Sequence, residues 1–111
     1  MDYTKAEAKA YCKENMKGVW AALTTPFDES GQVDENGLRK NVRHCIDNLK
    51  IDGFFCNGLM GEYWSLTSDE RKRIQHIVCE ESRGSAQVIP HTAHINVNEA
   101  VELTKHAEEV G

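Results

Sequence analysis

At 111 residues the chain is long enough for one small domain and too short for a second sizeable one. Its 40% hydrophobic and 28% charged residues describe an ordinary globular protein, not a disordered or fibrous one. The net charge of -5 argues against nucleic acid and against an anionic membrane surface, both of which select clustered Lys and Arg.

The one dense basic run, Arg71-Lys72-Arg73, follows Asp69-Glu70 in a helical stretch and reads as a solvated helix face. Cys12, Cys45, Cys56 and Cys79 are far apart, form no C-x-x-C pair and follow no signal-peptide pattern. They are expected to be reduced and mostly buried, as in a cytoplasmic protein. The longest apolar run, Val19 to Leu23, falls far short of the roughly 20 residues of a membrane-spanning helix.

Residues 1–16 carry the first predicted element, a helix from Thr4 to about Asn15, with Thr4 and Glu7 spaced for a capping box. Gly18 closes that region. A strand is predicted over Val19–Thr24, a second over Phe54–Cys56 and a third around Val88–Ile89. These are short continuous apolar runs, the pattern of strands covered on both faces. Pro90 is awkward, because proline lacks a ladder donor and belongs at a strand end or edge.

An amphipathic helix follows each strand. Asp34 is the predicted cap of the first, with Val33 and Leu38 as a hydrophobic staple and Leu38, Val42, Cys45, Ile46 and Leu49 on one face. Thr67 and Glu70 form a capping box for the second, whose buried stripe is Ile74, Ile77 and Val78. Asn96 and Glu99 have the same spacing before the third, with Ala100, Leu103, Ala107 and Val110 inward and Gly111 as its C-terminal cap. The strand starts lie 35 residues apart from Val19 to Phe54 and 34 from Phe54 to Val88, one βα unit per repeat. Residues 17–111 are thus expected to form three parallel strands with right-handed crossovers. Such a sheet has two bare edges, so the chain reads as a single incomplete domain that self-associates.

The densest chemistry follows strand two, in Asn57-Gly58-Leu59-Met60-Gly61-Glu62-Tyr63-Trp64. Two glycines bracket a turn between a strand and a capped helix, a geometry that aims successive N–H groups at an anion. With Ala22-Leu23-Thr24-Thr25-Pro26-Phe27 before it and Ser65-Leu66-Thr67-Ser68-Asp69-Glu70-Arg71 and Val88-Ile89-Pro90-His91-Thr92-Ala93 after it, the order and spacing resemble one family. That family is the dihydrodipicolinate synthase/N-acetylneuraminate lyase group of class I aldolases, and the resemblance runs from about Lys17 to Gly111.

The resemblance implies an α/β fold, a partial TIM (β/α)8 barrel comprising the N-terminal helix and the first three βα units. It implies a lyase that binds pyruvate or another 2-keto acid as a Schiff base on a sixth-strand lysine, with a fourth-strand tyrosine moving protons. No metal or other cofactor is implied, and a homo-oligomer, tetrameric by resemblance, is. Both catalytic residues would lie beyond Gly111, so the chain alone is expected to be inactive. The site residues it does supply are for substrate: Thr24, Thr25, Gly58, Leu59, Met60, Gly61 and Glu62, at the C-terminal strand ends where such barrels work. Leu59 and Met60 stand where the family usually has hydroxyl residues, one in a proton relay and one on the keto acid's carboxylate, leaving only backbone N–H donors and a more apolar pocket. The rival reading is a non-catalytic α/β half-barrel that works by assembling with another chain.

Other residues carry blander expectations. Lys40, Lys50, Lys72 and Lys105 fall on helices or loops, without the desolvated pocket a Schiff-base lysine needs. His91 and His94 are poorly spaced for one metal ion on an extended strand and converge only if the chain has already turned there. Glu62 is expected to accept from loop N–H groups, and Tyr63 and Trp64 to pack or to sit at an interface. His44, His76 and His106 lie on predicted helices in surface or packing roles.

Overall fold

The computed structural model describes residues 3–111. After an N-terminal helix α1 (Ala8–Asn15) come β1 (Trp20–Ala22), α2 (Glu35–Asp47), β2 (Gly53–Cys56), α3 (Ser68–Ser82), β3 (Gln87–Pro90) and α4 (Val97–Val110). The strands form one parallel sheet in the order β1-β2-β3, with Ala21 opposite Phe54 and Phe54 opposite Val88. All three predicted βα units are present, and they correspond to the N-terminal part of a (β/α)8 barrel.

The core lies between the sheet and helices α2 and α3. Leu38, Val42, Ile74, Ile77 and Val78 from the helices meet Leu23, Phe54 and Cys56 from the strands, with Ala21 and Val88 packed against them. The other face of the sheet is open: Ala22, Phe55 and Ile89 alternate out of the core and are exposed. This corrects the expectation of strands covered on both faces. The apolar runs are right for a barrel interior, but among the described residues no second layer covers that face. At the base of that face the Trp20 ring lies over Gly53, 2.6 Å from where a Cβ would stand, so only glycine fits.

Pro90 ends β3 opposite Cys56. Gln87 and His91 donate their N–H groups to Asp52 and Cys56, so the intervening even positions point to the unpaired edge. The missing donor of Pro90 therefore falls where no ladder needs it.

The helix caps follow the sequence in two cases. Asp34 accepts from the Gly37 N–H at 2.9 Å, and Thr67 and Glu70 close a full capping box. Replacing Thr67 by Ala should cost about 1 kcal/mol and lower the melting temperature by about 4 °C in a calorimetric scan. An unchanged melt would mean that α3 is held by its packing alone.

Several expectations fail locally. At the start, Glu7 reaches back as expected and accepts from the Thr4 N–H and hydroxyl, but Thr4 through Glu7 form a turn and α1 begins only at Ala8, with no side-chain cap. Before α4, Asn96 caps through the Asn98 N–H, while Glu99 turns away to accept from the Ser68 hydroxyl at 2.6 Å. A cross-helix partner thus displaces the capping box. Leu49 lies beyond the end of α2 and is exposed, since the chain turns at Lys50, in left-handed backbone, before reaching β2.

Salt bridges join α2 to α3 outside the core. Arg39 bridges Glu80 and Glu81 at 2.7 Å, Arg43 reaches Glu81, and Arg73 grips Glu35 through two bonds. Hydrogen bonds from Arg73 to Glu35 and from Arg39 to Glu80 and Glu81 hold these carboxyls below the usual range. No helix among the described residues is long and apolar enough to cross a membrane.

Candidate functional site

The turn after β2 is built by three residues that could hardly be exchanged. Asn57 is buried in left-handed backbone, φ +56°, and its Nδ2 donates to the Arg71 carbonyl at 2.8 Å. Asparagine is one of the few side chains that tolerate that conformation. Gly58 lies under the Phe55 ring, 2.2 Å from the site of a Cβ. Gly61 is closed in by the Leu23 carbonyl and the Thr25 hydroxyl, and Thr25 Oγ1 donates to the Gly61 carbonyl at 2.8 Å. The end of β1 thus fastens the loop after β2.

Among the predicted site residues, the structure joins Thr25 to Gly58 through Gly61. Thr24 is exposed and makes no hydrogen bond to the loop among the described residues. Inside the turn, the N–H groups of Gly61, Glu62 and Tyr63 donate to the carbonyls of Gly58, Leu59 and Gly58 at 3.1, 3.1 and 3.4 Å. Those of Leu59 and Met60 have no partner among the described residues, and both side chains are exposed. Two adjacent N–H donors are therefore available to an anion. Glu62 is exposed in left-handed backbone, and its carboxylate accepts no hydrogen bond among the described residues. The expected acceptor role is therefore not seen: the Glu62 side chain stands in solvent.

Beneath the loop lies Arg71, fully buried, which corrects the reading of Arg71-Lys72-Arg73 as a solvated face. Its guanidinium donates to the carbonyls of His91 at 2.7 Å and Ala93 at 3.0 Å, and lies 5.4 Å from the Tyr63 ring centre. One nitrogen faces His91 Nδ1 at 3.4 Å. A guanidinium only donates, so this contact is a hydrogen bond when Nδ1 is the bare nitrogen of the imidazole. Burial and then the Arg71 charge hold His91 below the ordinary histidine range, while the Asn57 carbonyl acts in the opposite sense. Burial likewise lowers Arg71.

His91 packs edge-on against Tyr63 at 4.5 Å and Phe55 at 6.2 Å. His94 is exposed and accepts from the Asn96 N–H, so the two histidines serve different partners. Tyr63 packs as expected, and Trp64, edge-on to it at 5.4 Å, is 61% exposed. His44 and His76 are exposed, and His106 meets Gln75 Oε1 at 2.9 Å. Cys56 and Cys79 are buried and Cys12 and Cys45 half-buried, all four unpaired. Burial pushes the Cys56 thiol far up, which makes it unreactive. Lys40, Lys72 and Lys105 lie on helices and Lys50 in a turn, so none stands at a strand end. A cleft of about 570 Å³ runs along the unpaired edge of β3 between Tyr11, Arg83 and Val110. It contains no residue of the loop and is a gap beside the sheet.

Asn57 and Arg71 were not singled out as site residues. The helical period alone places Arg71 inward, three residues before Ile74 and seven before Val78 on the same stripe. Its charge outweighed its position in the sequence reading.

The sequence and the fold have known counterparts. N-acetylneuraminate lyase of Clostridium perfringens is 43% identical over 96 residues, 86% of this chain and 33% of that protein. The crystal structure of N-acetylneuraminate lyase from Fusobacterium nucleatum in complex with pyruvate superposes with a TM-score of 0.81 at 40% identity, over 86% of this chain and 33% of the other. Dihydrodipicolinate synthase of Aquifex aeolicus follows with a TM-score of 0.79 at 36% identity, over 86% and 32%. The chain spans about a third of the length of the curated relatives it matches. Those relatives are lyases, and the match to the family itself covers residues 15–111. With three parallel βα units and a Gly58–Glu62 turn at the second strand end, this chain belongs to the Dihydrodipicolinate synthetase family.

Proposed function

We propose that this chain supplies the carboxylate-binding part of a cytoplasmic Schiff-base lyase acting on pyruvate or another 2-keto acid, and that these 111 residues alone do not turn over substrate. One observation carries the reading: the unpaired N–H groups of Leu59 and Met60, on a turn fastened by Thr25, at the strand end where a barrel binds its substrate. Fixed N–H donors orient the keto acid's anionic end. An imine formed on a lysine then acts as an electron sink for breaking or making a carbon–carbon bond. No lysine of this chain stands at a strand end to form it.

Borohydride reduction with pyruvate, followed by intact mass, tests both halves of the proposal. The subjects are the 111-residue chain and a chimera in which residues 15–111 replace the matching third of the Fusobacterium nucleatum lyase. An adduct on the chimera alone is expected. A folded chimera without an adduct sinks the keto-acid reading, and an adduct on the chain alone refutes its inactivity.

The open sheet face favours a second reading, a non-catalytic half-barrel that assembles with copies of itself. Ala22, Phe55 and Ile89 form an exposed apolar strip between two unpaired strand edges. Sedimentation decides it: a monomer that unfolds cooperatively removes this reading.

A further inference from the structure

The Met60 N–H donor is connected to the end of β1 through two peptide units. The Thr25 hydroxyl donates to the Gly61 carbonyl at 2.8 Å. A trans peptide is planar, with its C=O and N–H on opposite sides, so the Gly61–Glu62 unit points the Glu62 N–H away from Thr25. That N–H donates to the Leu59 carbonyl at 3.1 Å. The Leu59–Met60 unit in turn presents its own N–H, that of Met60, which has no partner among the described residues. Each bond fixes the plane of the next peptide and polarises it in the same sense, which makes the last N–H a better donor.

The Thr25 bond also has strain to oppose. Glu62 lies in left-handed backbone, at φ 54° and ψ 45°. A non-glycine residue stays there only where its surroundings hold it. Turning the Gly61–Glu62 plane over would carry Glu62 out of that region and take its N–H off the Leu59 carbonyl. The Gly61 carbonyl is the oxygen such a flip must move, and Thr25 holds it. The Leu59 donor is held differently. It belongs to the Gly58–Leu59 unit, whose carbonyl accepts from Gly61 and Tyr63 within the turn, at 3.1 and 3.4 Å.

We propose that Thr25 is a positioning residue of the keto-acid site, aiming the Met60 N–H through these two peptides rather than donating to substrate itself. Its one hydroxyl proton is already committed to Gly61. This rests on the keto-acid reading above for its ligand and on the geometry of the turn for its device.

The test is amide NMR on the 111-residue chain, titrated with pyruvate, for the wild type, Thr25→Val and Thr25→Ser, with a urea melt of each. Thr25→Val keeps the shape of the side chain and loses the hydroxyl, whereas Thr25→Ser keeps the hydroxyl. In the wild type, pyruvate should move the Leu59 and Met60 amides, and the Glu62 carbon shifts should have a left-handed signature. Thr25→Val should weaken pyruvate binding about tenfold, the effect of losing one hydrogen bond to a charged group. Its Met60 amide should respond less than its Leu59 amide, and its Glu62 signature should average. Thr25→Ser should restore all three. A role in stability alone would shift the urea midpoint and leave the two amides of the folded variant responding alike.

A Thr25→Val chain that binds pyruvate as the wild type does, with Glu62 unchanged, overturns the proposal. So does a folded Thr25→Ser chain that behaves like Thr25→Val. If pyruvate moves no wild-type amide, the keto-acid reading fails, and the Glu62 signature in Thr25→Val still decides the positioning role. Should Thr25→Val not fold, Thr25→Ala at this half-buried position carries the same comparison.

Discussion

Replacing Phe54 by Ala should cost about 3–5 kcal/mol, read as a drop in the urea midpoint. Phe54 is fully buried on the central strand, in one cluster with Leu38, Val42, Ile74, Ile77 and Val78. Domains of this kind have about 5–15 kcal/mol in total, so the variant should be at the edge of folding. Phe55→Ala is the matched control. It removes the same ring one position along, from the open face, where Phe55 remains 36% exposed. Its cost should be about 1 kcal/mol, within the ordinary range for partly exposed sites. Equal losses from the two variants would mean that the open face is covered when the chain is in solution, as the self-assembly reading requires.

Restoring a hydroxyl at position 60 should tighten keto-acid binding about tenfold, the effect of one added charge-assisted hydrogen bond of about 1.5 kcal/mol. Met60 is exposed next to the unpaired N–H groups, so Met60→Thr adds a donor without disturbing the core. The measurement is the KM for pyruvate in the chimera described above. With Leu59→Ser the gain should instead appear in kcat, since a hydroxyl there would serve proton transfer. A KM unmoved by Met60→Thr would place the carboxylate elsewhere than this turn.

The same contrast between Phe54 and Phe55 shows what was legible from residue order. Periodicity found the helices because Leu38 and Val42, or Ile74, Ile77 and Val78, recur at helical spacing and have only one place to go. It missed the open face because an apolar run reads alike whether its second face is covered by this chain or by nothing in it. The turn at the end of β2 was legible because two glycines between a strand and a capped helix leave few conformations. Its support was not: Arg71 looked like one of three solvated cations, and only the fold brings the carbonyls of His91 and Ala93 within its reach, 20 and 22 residues on.

By itself, then, the sequence determined three βα units, their order and two of the helix caps, all of which depend on contacts within a few residues or on hydrophobic period. It also determined the turn at Gly58–Glu62 and the family resemblance. Tertiary structure alone decided that Thr25 fastens the turn, that Glu99 leaves its cap for Ser68, and that Arg71 is buried against His91. These depend on partners from 20 to 36 residues away. A buried polar group takes whichever partner the packed backbone brings to it, since leaving it unpaired costs more than abandoning a local preference.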